Sequence, residues 1–213
     1  TANLAPGTYT ITVSYAGNGS YTASYGIGTL TVAKESTIVT VGSATVAYGD
    51  EVILYGTLTD DESSALPTGE VLEFKVGSLT VGTATTNTAG VGTISCTANL
   101  APGTYTITVS YAGNGSYTAS SGIGTLTVAK ESTLIMAGSA VVAYSDTVEL
   151  RGTLTDDESS ALPDGEVLEF KVGSLTVGTA TTNTAGVGTI SYTANLAPGT
   201  YTITVSYAGN GSY

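Results

Sequence analysis

Thr97–Tyr117 reads TANLAPGTYTITVSYAGNGSY, and its middle decides the fold class. Tyr105, Ile107, Val109 and Tyr111 alternate with Thr104, Thr106, Thr108 and Ser110. A period of two marks a strand with one buried face. Pro102-Gly103 precedes it as a turn, and Asn114-Gly115 follows it as a hairpin signal. An inward Tyr just after a Pro-Gly turn suits a tyrosine corner, in which the hydroxyl bonds back to upstream backbone. Tyr9 and Tyr201 hold the same place in two further copies.

Those copies begin at Thr1 and Thr193, so the segment recurs unchanged every 96 residues. Solenoid units run to roughly 20–50 residues, so this period fits a whole small domain copied head to tail. Three segments follow: 1–34, the last strands of one repeat; 35–130, a complete repeat; and 131–213, a repeat lacking its final strand. The chain opens and closes inside the unit, as a window on a longer polymer does. The partial repeats are expected to be completed by continuation of the chain, with strand donation from another subunit as the alternative.

Within 35–130 the strand signals continue. Ser36–Asp50 reads as a first strand interrupted at Gly42. Glu51–Thr59 places Val52, Leu54 and Leu58 on one face. The polar loop Asp60–Gly69 precedes a strand with Leu72, Phe74 and Val76 inward and Glu73 and Lys75 outward. Ile94, Cys96, Ala98 and Leu100 share a side, and Leu126 and Val128 close the unit. The prediction is all-β: tandem immunoglobulin-like β-sandwich domains of about seven strands each.

The formal net charge of −12, with five Lys and Arg against seventeen Asp and Glu, excludes the basic clusters that nucleic acid requires. No apolar run is long enough to span a bilayer within this window. With one cysteine, Cys96, no internal disulfide forms, and an inert inward thiol is expected. The absence of His removes the commonest general base and metal ligand. No catalytic residue, metal ligand set or cofactor site is assigned.

Four stretches carry a family resemblance: Val46–Asp50, Gly69–Phe74, Leu100–Tyr111 and Tyr111–Ser120. Together they resemble bacterial Ig-like domains of the group 3 type. That resemblance implies tandem modules of prokaryotic surface or secreted proteins, serving as stalks and scaffolds, and it implies no catalytic residue.

Aligned by the repeat, Ile53 becomes Glu149, Tyr55 becomes Arg151, and Thr40-Val41 becomes Met136-Ala137. Ile53, Tyr55 and Val41 are therefore the expected assembly interface, against neutral surface variation. Asn18, Asn114 and Asn210 head Asn-Gly-Ser sequons and are candidate N-glycosylation sites, although a turn needing positive φ at Asn-Gly explains them as well. Asp60-Asp61-Glu62 and Asp156-Asp157-Glu158 admit calcium binding, but consecutive acids in no known calcium spacing read first as solvated loops. A Lys–Asn isopeptide link is disfavoured because Lys75 points outward.

The reading is a structural protein: the repeat unit of an extracellular filament, stalk or cell-surface rod, whose partner is itself. The linker Val128–Thr133 has neither Gly nor Pro and is no flexible tether. The alternative is an adhesin module contacting carbohydrate or host protein through loops such as 59–70.

Overall fold

The computed structural model describes residues 4–213. Thr1–Asn3, the start of segment 1–34, lie outside the described residues. Among the described residues there are sixteen strands and no helix. They form two compact units: one of residues up to Val46, Glu51–Thr97 and Thr104–Thr127, the other of Ala47–Asp50, Ala98–Gly103 and Val128–Tyr213.

In the first, β1 (Gly7–Tyr15) and β2 (Ser24–Val32) make an antiparallel ribbon. The next repeat, 35–130, builds two sheets. One is β3 (Thr37–Val41), β5 (Glu51–Asp60) and β8 (Val91–Thr97), in the order β3-β5-β8. The other takes β4 (Ala44–Ala47), β6 (Val71–Val76), β7 (Leu79–Thr85), β9 (Gly103–Tyr111) and β10 (Ser120–Ala129), in the order β4-β10-β9-β6-β7.

The expected faces are the buried ones: Val52, Leu54 and Leu58 on β5, Leu72, Phe74 and Val76 on β6, and Ile107, Val109 and Tyr111 on β9. The sheets approach closely at Gly56 of β5, where a Cβ would come within 2.9 Å of Val109 Cγ1. The break at Gly42 has a physical cause. The Tyr55 ring lies over Gly42, so any Cβ there would strike it, and the chain crosses from one sheet to the other at that point.

The second unit repeats the pattern with β11 (Thr133–Ala137), β12 (Thr147–Asp156) and β15 (Val187–Thr193) in one sheet. The facing sheet is β14 (Leu175–Thr181), β13 (Val167–Val172) and β16 (Ile203–Tyr207). Leu150, Leu154, Leu162, Leu168, Phe170, Val172 and Tyr192 form its core. Here β16 is a sheet edge, and residues 140–143 carry no strand. Between them runs an open groove of about 500 Å³ lined by Val141, Val148, Leu150, Tyr192, Tyr201 and Ile203. In the other repeat β10 lies at this position, with Leu126 and Val128 buried.

The hairpin after β9 differs from the sequence expectation. It is an eight-residue connection from Ala112 to Ala119, not a two-residue turn on Asn-Gly. The left-handed residue is Gly113 (φ 76°), not Gly115. Asn114 serves a different purpose: its Oδ1 accepts the Ser116 and Tyr117 amides, an Asx turn that holds the loop.

Candidate functional site

Strand register brings the acids together. β11 pairs with β12 so that Thr133 lies opposite Asp156. The chain just before β11 therefore runs beside the loop just after β12. That loop is shaped by Asp156, whose Oδ1 accepts the Ser160 amide at 2.6 Å, and by Ser159 at φ 69°. As a result Glu131 joins Asp157 and Glu158, each offering a carboxylate oxygen within 4.8 Å of the others. The same register, Thr37 opposite Asp60, joins Glu35 to Asp61 and Glu62 one repeat earlier.

The two trios differ in burial. Glu35, Asp61 and Glu62 are all exposed, whereas Glu131 is only 6% exposed. Glu131 Oε1 accepts the Ser132 amide at 3.0 Å, and Oε2 is buried without a hydrogen-bond partner. Burial pushes the Glu131 carboxyl up to about 7, with Asp157, Asp50 and Glu158 adding to the rise. The neighbouring Glu158 and Glu131 carboxyls hold Asp157 below the usual range. The sequence reading missed Glu131 and Glu35. The only signal for them is a Glu recurring before the first strand of each repeat, which no spacing motif connects to the loop.

A second polar knot lies on Glu70. Its carboxylate accepts the Tyr111 hydroxyl at 2.7 Å and the Asn114 amide at 3.0 Å. Glu166 does the same for Tyr207 and Asn210, at 2.6 and 3.0 Å. Burial first, and the Glu70 bond second, raise the Tyr111 hydroxyl well above an ordinary tyrosine. In both sequons, at Asn114 and Asn210, the amide nitrogen that a glycan would take already donates one of its hydrogens to a carboxylate. Asn18 forms the same Asx turn, accepting from the Ser20 and Tyr21 amides.

The segment that opens each repeat is clasped to an Asx-turn segment of its own unit. Glu35 donates its amide to Ser116 and accepts from Thr118, while Lys34 Nζ reaches the Asn114 carbonyl at 2.6 Å. Glu131 donates its amide to Ser212, and Lys130 Nζ bonds the Asn210 and Tyr213 carbonyls. The tyrosine corner is present where Tyr9 and Tyr201 donate to the carbonyls of Ala5 and Ala197, at 2.7 and 2.8 Å.

Of the expected interface, Ile53 and Tyr55 lie together on β5, 64% and 47% exposed. Val41 does not join them. It is half-buried, and its methyl groups face the backbone of Gly122 and Gly124 on β10. Cys96 is half-buried opposite Val52, and burial raises its thiol. Its counterpart Tyr192 is buried in the core, with its hydroxyl 3.4 Å from Asn195 Oδ1. Lys75 pairs with Glu73 at 3.0 Å on the surface, as Lys171 does with Glu169.

Two facing β-sheets, with a tyrosine corner at the penultimate strand, make this an immunoglobulin-like sandwich protein. The chain belongs to the bacterial Ig-like domain (group 3) family, whose profile matches residues 39–129 and 135–213. Solved structures similar to it include the Escherichia coli adhesin FdeC, at 19% identity and TM-score 0.38, covering 87% of this chain and 65% of that one. The Yersinia pseudotuberculosis adhesin InvE matches at 16% identity and TM-score 0.36, covering 79% and 58%. Titin domains z1z2 in complex with telethonin match at 14% and 0.39, covering 78% and 85%. The chain thus spans less than two thirds of either adhesin chain. No curated protein sequence matches it. Among the described residues no helix is long and apolar enough to cross a membrane.

Proposed function

We propose that the chain is a structural protein, the repeating part of an extracellular filament, stalk or cell-surface rod. The clasp at the start of each repeat carries this reading. Lys34-Glu35 and Lys130-Glu131 are tied by backbone and ammonium bonds to the Asx-turn segments at 114–118 and 210–213, so the connecting residues are not free coil. Near-identical copies under one family profile support the same role, since serial load-bearing modules need no individual specialisation. The exposed pair Ile53 and Tyr55 is the surface assigned to contact between such chains. Lys75 and Lys171 lie in surface pairs, which contribute little to stability.

Stretching single molecules by force microscopy tests the role. Each sandwich is expected to unfold in its own event, lengthening the tether by roughly 300 Å for a 96-residue repeat at about 3.3–3.6 Å per residue. Unfolding without discrete events, or tight glycan binding by the loops at 59–70, would count against it.

A further inference from the structure

We propose that Glu131, Asp157 and Glu158 form a calcium site. A cluster of acids on a surface is ordinary, and three observations set this one apart. First, Glu131 is 6% exposed, yet its Oε2 has no hydrogen-bond partner. A buried carboxylate oxygen without a donor is costly unless a proton or a cation meets it. Second, the other oxygen is already fixed by the Ser132 amide, so the side chain is held in place and not free to turn to solvent. Third, among the described residues no ion pair answers the charge. Lys130 Nζ is spent on the Asn210 and Tyr213 carbonyls, and the ion pairs found among the described residues lie on Lys75 and Lys171. Asp50, in the same compact unit, adds a further negative charge acting on Glu131.

The geometry suits the ion. Calcium takes oxygen ligands at about 2.3–2.6 Å, so two ligands of one ion lie at most about 5 Å apart. The three carboxylate oxygens all fall within 4.8 Å of one another. Calcium tolerates irregular ligand sets and completes six to eight positions with bidentate carboxylates and water, whereas magnesium demands near-octahedral order. A site assembled from one strand-flanking Glu and two loop acids fits the first ion. The trio Glu35, Asp61 and Glu62 has the same residues but no buried, unpartnered oxygen, so it is the weaker member of the pair. This assignment does not rest on the structural role proposed above.

The test uses the whole chain, stripped with EDTA and titrated with calcium chloride in a calorimeter, alongside thermal melts. The expected result is one saturable site with a dissociation constant of about 10⁻⁴–10⁻³ M, the range of extracellular modules. Calcium is also expected to raise the melting temperature of the second unit. Asp157→Asn with Glu158→Gln should weaken binding at least about tenfold and remove the thermal shift while leaving the β-sheet spectrum intact. Asp61→Asn with Glu62→Gln should retain both. Glu131→Gln should lose the calcium response yet melt no lower than the stripped parent, since it removes the buried charge. Absence of binding at millimolar calcium overturns the site. So does a response that survives Asp157→Asn with Glu158→Gln, or an equal response to magnesium.

Discussion

Tyr111 shows how one side chain ties two distant segments. It is 4% exposed, and its hydroxyl needs an acceptor, which Glu70 supplies while also holding Asn114. Replacing Glu70 by Ala leaves that hydroxyl unpaired, and chemical denaturation is expected to show a loss of about 1–3 kcal/mol. Tyr111→Phe, which removes the donor instead, is expected to cost less, about 0.5–1.5 kcal/mol. The same pairing gives a pH signature. The folded pKa of Tyr111 lies above the unfolded value of about 10, so its contribution is fully present below that pH and is lost as pH rises through the folded value. Tyr207 is raised in the same way. An alkaline absorbance titration is expected to show these two tyrosines ionising last, together with loss of the β-sheet signal. Early ionisation of both would contradict the pairing.

Pairing of strands and sheets turns on small residues at close approaches. Gly56 on β5 and Gly152 on β12 each face a valine of the opposite sheet, at 2.9 Å from Val109 and 2.7 Å from Val205 for an added Cβ. Gly56→Ala overpacks this contact and is expected to cost about 1–3 kcal/mol in urea unfolding. The alternation of β5, β6 and β9 was readable from the chain because a strand's inward face is a local property with period two. The hairpin after β9 was not, because the Asn114 side chain, and not a left-handed Gly115, organises it. Val41 misled for a related reason: sharing a sheet with β5 does not mean sharing its outer face. On that face, exchanging Ile53 and Tyr55 for Glu and Arg is expected to lower self-association in sedimentation at high concentration while the melting temperature shifts little. Unchanged association would remove this pair as a contact surface.

The two units keep separate cores, one around Phe74 and one around Phe170, both fully buried. Removing one should therefore not propagate. Phe74→Ala is expected to cost its own unit about 3–5 kcal/mol. In scanning calorimetry one transition should move down while the other stays in place. A single merged transition shifting as a whole would show the units to be coupled. At this scale the function is proposed from repetition and from the clasped linkers, since the open groove beside β16 is lined by core-type residues and by no clustered reactive groups.

The sequence by itself determined the period, the strand class, the inward faces and the tyrosine corner, because each is written in neighbouring residues or in exact recurrence. Only the tertiary structure decided which distant groups meet. Glu131 reaches Asp157 and Glu158 through the pairing of β11 with β12, and Glu70 reaches Tyr111 across an interval of 41 residues. Such meetings depend on strand register, and register is set by the packing of a whole face and not by any local motif.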